Sequence, residues 1–350
     1  MPIETRLFDY ELPRELIAQT PLEKREDSRL LLLDRSTGKI ERRSFTDIID
    51  YIRPVDLLVV NDTRVFPARL FVNKKSGGRI ELLFLNQTDA PENEWRALAR
   101  PGRRLAAGTE LFHESLETPF CRVVSILEKG EITVEVSPRP LFSFLELHGA
   151  VPLPPYIKDK ISDPRRYQTV YAERDGSAAA PTAGLHFTPE LIEKIKKSGA
   201  RFASVTLHIG LDTFKPVGEE LIEDHTMHAE FYTVPDETAA AVSETRRGGG
   251  RVIAVGTTSV RALESWAAGE SKNEPAPAPK GKSGETRLFI FRRDQFAVTD
   301  AMITNFHLPR STLIIMVSAF AGYDLLRSAY SEAIENKYRF YSFGDAMLIV

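Results

Sequence analysis

Histidine titrates near neutral pH and is the side chain best suited to passing protons. His208 stands in Leu207-His208-Ile209-Gly210-Leu211-Asp212-Thr213, directly after an alternating stretch. There Ala203, Val205, Leu207 and Ile209 face one way and Ser204, Thr206 and His208 the other. A strand with that alternation presents His208 on its polar face at its carboxyl end, the edge where open α/β sheets bind ligands. Asp224-His225-Thr226-Met227-His228-Ala229-Glu230 brings two histidines and a carboxylate together. The pair lacks the glutamate and spacing of the common zinc protease motif, and no second cluster of ligands accompanies it. Proton transfer or hydrogen bonding therefore fits better than metal binding. Gly256-Thr257-Thr258-Ser259 ends an apolar strand on glycine and sets three hydroxyls at the start of a helix. Helix-start amides with hydroxyls make a site for a carboxylate or phosphate. Residues 176–188 are rich in alanine, include His186, and let a backbone approach a flat ligand closely. Ordinary packing or capping would account for each of these segments taken singly.

Arginines supply the other possible contact chemistry. Arg64 and Arg69, then Arg100, Arg103 and Arg104, then Arg165 and Arg166 form three clusters that could hold phosphates. Any one of them alone is ordinarily a solvated face. Gly281-Lys282-Ser283 resembles the end of a phosphate loop, but the upstream glycine is replaced by Ala276 and no strand precedes it, which excludes a nucleoside triphosphatase. Neither a dinucleotide fingerprint nor a Gly-x-Ser-x-Gly elbow is present.

The elements that must position these residues fall into two textures. Residues 30–33 and 57–60 are apolar runs of buried-strand length, with a helical stretch over 46–52 between them and a short helix over 13–18 before them. From about 65 to 154 short strands follow one another, over 80–85, 95–99, 121–127 and 132–136, with turn signals between them and one helix over 141–147. That spacing predicts a small sandwich or barrel. After Pro154 helices and strands alternate. A helix opens at Thr188-Pro189 and stops at Gly199, a strand precedes His208, a helix runs from Pro235 to the glycines at 248–250, and a strand over 251–255 leads into a helix over 259–268. The expected fold class is α/β: a parallel or mixed sheet with helices packed on it, formed by residues 1–64 and 155–350, with an inserted β domain over 65–154. The polar, proline-rich stretch 270–285 reads as a mobile loop.

Composition narrows the function classes. The chain has 350 residues, 42% hydrophobic and 27% charged, so it can build a core and is neither disordered nor fibrous. A formal charge of −3 excludes a generally basic nucleic-acid binder; any such binding needs a local patch. One cysteine, Cys121, excludes an internal disulfide and a thiolate zinc site. The amino terminus shows no export signal, and the longest apolar stretch, 313–322, is too short to cross a bilayer. A soluble cytoplasmic protein with no membrane contact is expected.

Long, rare words in fixed order add a resemblance to these readings. Phe8-Asp9-Tyr10-Glu11-Leu12-Pro13, Leu16-Ile17-Ala18-Gln19-Thr20-Pro21, Asn61-Asp62-Thr63-Arg64-Val65, Pro152-Leu153-Pro154-Pro155-Tyr156-Ile157 and Arg166-Tyr167-Gln168-Thr169-Val170-Tyr171 are followed by the alanine-rich loop. The His225/His228 segment, Gly256-Thr257-Thr258-Ser259, Thr304-Asn305-Phe306-His307-Leu308-Pro309 and Gly344-Asp345-Ala346-Met347 complete the set. Together they resemble the S-adenosylmethionine:tRNA ribosyltransferase-isomerases of queuosine biosynthesis, nearly end to end. Asp212, where that family has glycine, and Arg292-Arg293-Asp294, where it has a different turn, depart from the pattern.

The resemblance implies a larger α/β domain with an inserted β-barrel. It implies transfer and isomerisation of the ribosyl part of S-adenosylmethionine onto 7-aminomethyl-7-deazaguanine at the tRNA wobble position, giving epoxyqueuosine-tRNA with release of adenine and methionine. The donor is then a co-substrate, and no metal is implied. Such chemistry needs a base at the ribose carbon beside the sulfonium and a hydrogen-bond or proton donor for adenine. The candidates are His186, His208, His225 and His228, with Glu230 and Asp345 as orienting or basic carboxylates, and Gly256, Thr257, Thr258 and Ser259 for the donor's carboxylate. Arg64, Arg69, Arg100, Arg103, Arg104, Arg165 and Arg166 are the candidate tRNA contacts. An RNA methyltransferase would use the same donor but lacks support from any glycine-rich Rossmann opening. A non-catalytic tRNA-binding protein fits poorly with the acidic net charge.

Overall fold

A computed structural model of the chain describes all residues except 1, 89–92, 104, 128–129, 138–139, 160, 162, 211–212, 214 and 269–279. It has two compact units: Met1–Thr63 with Pro154–Arg174 and Ala180–Val350, and Arg64–Leu153 with Asp175–Ala179. The mixed α/β architecture with a closed barrel is the fold class expected from the sequence.

The first segment supplies β1 (Arg29–Leu33), β2 (Ile40–Ser44), β3 (Leu57–Asn61) and β4 (Thr63–Val65). Between β2 and β3, Phe45–Tyr51 winds as a 3-10 helix rather than an α-helix, and the Ser44 amide donates to the Asp47 carboxylate at 3.0 Å. The inserted strands are β5 (Arg69–Lys74), β6 (Arg79–Gln87), β7 (Glu94–Arg100), β8 (Glu110–Phe112), β9 (Cys121–Ile126) and β10 (Glu131–Val136), followed by α1 (Leu141–His148). They close into a barrel in the order β10-β7-β6-β5-β8-β9. Alternation does the sorting: Leu70 and Val72, Trp95, Ala97 and Ala99, Cys121 and Val123 point inward, and their neighbours outward. Closure leaves no unpaired strand edge. Cys121 is a buried packing residue whose thiol burial holds protonated. Arg69, at the start of β5, and Ala150, just beyond α1, exchange both backbone hydrogen bonds at 3.0 and 2.8 Å.

The chain returns through β11 (Arg174–Ser177), which pairs with β4. Then come α2 (Pro189–Lys197), β12 (Arg201–Leu207), β13 (Glu230–Val234), α3 (Asp236–Arg247), β14 (Val252–Val255), α4 (Thr257–Trp266), β15 (Lys282–Thr286), β16 (Ala301–Asn305), α5 (Thr312–Ala321), α6 (Tyr323–Glu335) and β17 (Ala346–Ile349). Nine strands form one sheet in the order β15-β13-β12-β3-β14-β16-β17-β1-β2. β12, β3, β14 and β16 run parallel, as do β17 and β1; the remaining pairings are antiparallel. The central strands Leu-Leu-Val-Val-Asn, Val-Ile-Ala-Val and Ala-Met-Ile-Thr-Asn are buried throughout, as strands covered on both faces must be. α2 begins as expected: the Leu191 amide donates to the Thr188 hydroxyl at 3.2 Å, and Pro189 follows the cap.

One expectation fails. Residues 282–285, assigned above to a mobile loop, belong with Thr286 to the edge strand β15, in register with β13 from Glu230↔Thr286 to Val234↔Lys282. An edge strand needs few apolar residues. Only Thr286 of β15 is buried, so its sequence carries no hydrophobic period. Residues 270–279 of that stretch, including Ala276, lie outside the described residues. Among the described residues no single helix is long and apolar enough to cross a membrane; α5 and α6 reach that length and apolarity only jointly, across a 115° bend.

Candidate active site

At the carboxyl ends of β12, β14 and β16 the larger unit has a cleft open to solvent. Ile209 and Thr213 follow β12, Gly256, Thr257 and Thr258 follow β14, and Thr304 to Leu308 end β16. This is the edge at which open parallel sheets collect ligands. Tyr156, Tyr341 and Phe306 give the cavity flat aromatic walls, with the two tyrosine rings 4.8 Å apart. Gly256 has φ +90°, a left-handed conformation that glycine adopts freely. It turns the chain from β14 straight into α4, so the first turn of that helix lines the cavity. Tyr341 also has positive φ, +72°. For a bulky residue that is strained by roughly 1–3 kcal/mol, and such strain clusters at ligand sites.

The three hydroxyls opening α4 do not act together. Ser259 is fully buried and donates to the Val255 carbonyl at 2.7 Å, which removes it from the candidate donor contacts. Thr258 Oγ1 is buried without a partner among the described residues, as is Thr312 Oγ1 at the start of α5. Both threonines line an adjoining space that shares Thr213, Thr257, Thr258 and Leu313 with the first. Unsatisfied buried hydroxyls beside helix-start amides suit a small polar or anionic group.

The candidate proton-handling groups gather at the joined ends of β12 and β13. The His208 amide bonds to the Phe231 carbonyl at 3.0 Å, setting His208 opposite Phe231. Its Nδ1 lies 2.8 Å from Thr63 Oγ1 and its ring stacks near Phe231 at 6.2 Å and 18°. The Asn61-Asp62-Thr63 word explains how this end is held. The Asn61 side chain accepts from the Leu207 amide and donates to the Leu207 carbonyl, both at 3.0 Å, and Asp62 accepts from Thr206 Oγ1 at 2.6 Å.

Glu230, 5% exposed, accepts at Oε1 from the Gly210 amide (2.9 Å), from Thr213 Oγ1 (3.1 Å) and from His228 Nε2 (3.0 Å). Its Oε2 is ion-paired with Arg261. Arg261 in turn donates to the carbonyls of His228, Thr286 and Leu288 at 2.8, 3.0 and 3.2 Å. Burial alone would raise the Glu230 pKa, but the His228 hydrogen bond and the Arg261 charge outweigh it and hold the carboxyl below its ordinary value. An ionised carboxylate with that many donors is suited to holding His228, not to taking protons. His225 has a separate partner, with Nδ1 2.9 Å from Glu219 Oε2.

Two candidates stand apart from this gathering. His186 is 4% exposed. Its Nδ1 lies 2.8 Å from Ser28 Oγ, its Nε2 accepts from Asn305 Nδ2 at 3.1 Å, and its ring packs on Phe45 with centroids 5.0 Å apart. Burial, aided by the charges of Arg25 and Arg339, lowers its pKa to about 3. With both nitrogens engaged it has no means of exchanging a proton with a ligand; it braces Asn305, which lines the cavity. Asp345, 1% exposed, accepts from the Arg29 and Arg339 amides, each at 2.8 Å, and pairs with the Arg29 guanidinium. It clasps β1 to the turn before β17 and is structural.

Sequence reasoning overlooked His307. It lines the cavity just beyond β16, and burial lowers its pKa to about 3. The signal that singled out His208, a histidine just past the carboxyl end of a strand, applied equally to Thr304-Asn305-Phe306-His307.

The arginines divide in the same way. Arg64 forms a bidentate pair with Asp175 (2.6 Å for each contact), Arg69 pairs with Glu81 and Arg165 with Asp163. Arg166 donates to the Glu23 and Leu22 carbonyls at 2.9 and 2.6 Å. Arg100 and Arg103 are exposed, and among the described residues neither has an ion pair. Arg104 and Asp212 lie outside the described residues. Among the described residues no group of three or more His, Cys, Asp or Glu side chains is arranged to hold a metal ion.

Comparison with known proteins adds an independent line. Residues 5–349 match the family described as queuosine biosynthesis protein. The S-adenosylmethionine:tRNA ribosyltransferase-isomerase of Thermotoga maritima is 50% identical over 343 residues, 98% of each chain. Its namesake from Carboxydothermus hydrogenoformans is 52% identical over 346 residues, again 98% of each. A crystal structure of S-adenosylmethionine tRNA ribosyltransferase from Thermotoga maritima superposes with a TM-score of 0.56 at 41% identity, covering 98% of this chain and 100% of that one.

Proposed function

The chain belongs to the queuosine biosynthesis protein family, and from that premise we propose that it transfers and isomerises the ribosyl moiety of S-adenosylmethionine onto tRNA. The observation that carries this is identity of about 50% over 98% of both chains with ribosyltransferase-isomerases. The acceptor is 7-aminomethyl-7-deazaguanine at the wobble position, and the product is epoxyqueuosine-tRNA, formed in the cytoplasm where the tRNA is. The reaction removes a proton from the ribose carbon beside the sulfonium, releases adenine, joins the substrate amine to the opened sugar and expels methionine.

The cavity supports this assignment. Its aromatic walls suit a purine, and Thr257, Thr258 and the first amides of α4 suit the methionine carboxylate. His208 and His228, the latter held by Glu230, are the candidates to move protons beside it. The purified chain, given S-adenosylmethionine and the aminomethyl-deazaguanine tRNA, should release adenine and methionine and raise the tRNA mass by the transferred sugar. Chelator should leave the rate unchanged. S-adenosylhomocysteine as the small product would indicate methyl transfer and overturn the proposal.

The proposed tRNA contacts follow from which arginines have no ion pair among the described residues. Arg103 and Arg100 are proposed to meet phosphate directly, whereas Arg166 acts through its two carbonyl contacts as a structural anchor. Arg103→Ala should weaken tRNA binding and flatten its log–log salt dependence by about one unit or less, leaving S-adenosylmethionine binding intact. An unchanged slope would remove Arg103 from the RNA surface.

A further inference from the structure

We propose that His307 contacts the donor and stabilises the leaving adenine, its neutral Nδ1–H donating to a ring nitrogen of the base. This rests on the donor occupying the cavity described above.

The main chain at His307 is fixed from both sides. Its amide donates to Tyr330 Oη at 2.9 Å, and its carbonyl accepts from the Tyr10 hydroxyl. The ring is fixed as well, because Nε2 lies 2.7 Å from Thr304 Oγ1. That hydroxyl has one other acceptor within reach, the Asn305 carbonyl at 3.4 Å, a poor hydrogen bond beside the shorter one. In the tautomer we propose, the Thr304 hydroxyl donates to Nε2 and the imidazole proton sits on Nδ1. Nδ1 has no partner among the described residues, and the ring lines the cavity. The neighbouring polar side chain, Asn305, is already taken up: Oδ1 accepts from Thr182 Oγ1 at 2.9 Å and Nδ2 donates to His186. In that tautomer His307 has a donor to spare at the end of β16.

The chemistry fits the ligand. Burial keeps the imidazole uncharged, and an uncharged neighbour does not repel a sulfonium, as an imidazolium would. When the bond from ribose to adenine breaks, its electron pair goes to the base, and negative charge spreads over the ring nitrogens. A fixed N–H donor aimed at one of them binds the departing base more strongly than the intact donor, which is the condition for accelerating the step. The proton that finally neutralises adenine comes from another group or from water, because His307 stays neutral throughout.

Two substitutions separate this role from a structural one. Asparagine puts an N–H where Nδ1 stood and gives up the Thr304 contact; glutamine keeps a group near Nε2 and loses Nδ1. We expect His307→Asn to release adenine within about tenfold of wild type. His307→Gln should lose about 10²–10³-fold in kcat, with a much smaller change in the dissociation constant for labelled S-adenosylmethionine. Wild-type turnover in His307→Gln overturns the proposal whatever the asparagine variant does, and so does an equal loss in both. A wild-type chain that releases no adenine would instead overturn the functional assignment itself.

Discussion

Arg261→Met should destabilise the larger unit by about 3–5 kcal/mol, the cost of breaking a buried ion pair from one side. Both Arg261 and Glu230 side chains are 3% exposed. Removing the guanidinium leaves a carboxylate out of water with only neutral donors and His228. It also strands the carbonyls of His228, Thr286 and Leu288, which tie β13 and β15 to α4. The double substitution Glu230→Leu with Arg261→Met should recover much of that loss, because the uncompensated charge is gone. Activity should not return with it, since His228 then lacks the group that orients it. Urea unfolding of the two variants, with adenine release measured on each, tests both statements. A double variant as unstable as the single one would mean that the pair is not the source of the cost.

The second large effect separates two histidines that look alike in sequence. His186→Ala should cost about 2–4 kcal/mol of stability through the cavity it leaves and the hydrogen bonds lost to Ser28 and Asn305. His208→Ala should leave stability nearly unchanged and lower turnover by about 10²–10⁴-fold, as loss of a general acid–base group does. The pH dependence gives a further check. Burial holds His186 at a pKa of about 3, below its ordinary value of about 6.5. The unfolded chain therefore takes up a proton below pH ~6.5 that the folded chain refuses. The stabilising contribution is complete above that pH and falls by ~1.4 kcal/mol per unit as pH drops toward 3. His307 contributes a slope of the same sign. His186→Ala should thus flatten the decline of stability between pH 6 and 4. An unflattened profile, or wild-type turnover in His208→Ala, would reverse the assignment.

The apolar runs at 30–33, 57–60 and 252–255 mark buried strands because a strand covered on both faces is apolar at successive positions, and the close-set alternating strands mark the insertion through their period of two. Lys282–Thr286 escaped because an edge strand is specified by its partner rather than by its own pattern. Within the site, Glu230 and His228 were legible as a cluster two residues apart. That Glu230 is saturated depends on Arg261, thirty-one positions away, and no local pattern carries that. The same limit hides the partners of His186 and Asp345: Ser28 and Arg29 open the first strand and Phe45 follows the second, all far from both residues in sequence. His307 was missed although its position after β16 repeats that of His208 after β12.

The backbone exchange between Arg69 and Ala150 has a consequence for how the chain reaches its fold. Residues 1–63 and the long return segment must meet across an insertion of about ninety residues. Left as a flexible loop, that insertion would raise the closure entropy cost by roughly 2–3 kcal/mol over a loop of a few residues. Once the barrel forms, the Arg69–Ala150 pair holds its entry and exit side by side, and the rest of the chain meets a short connection. Barrel formation before sheet assembly therefore speeds the pairing of β3 with β12 and β14, and a barrel kept from closing slows the folding of a sheet to which it contributes no strand.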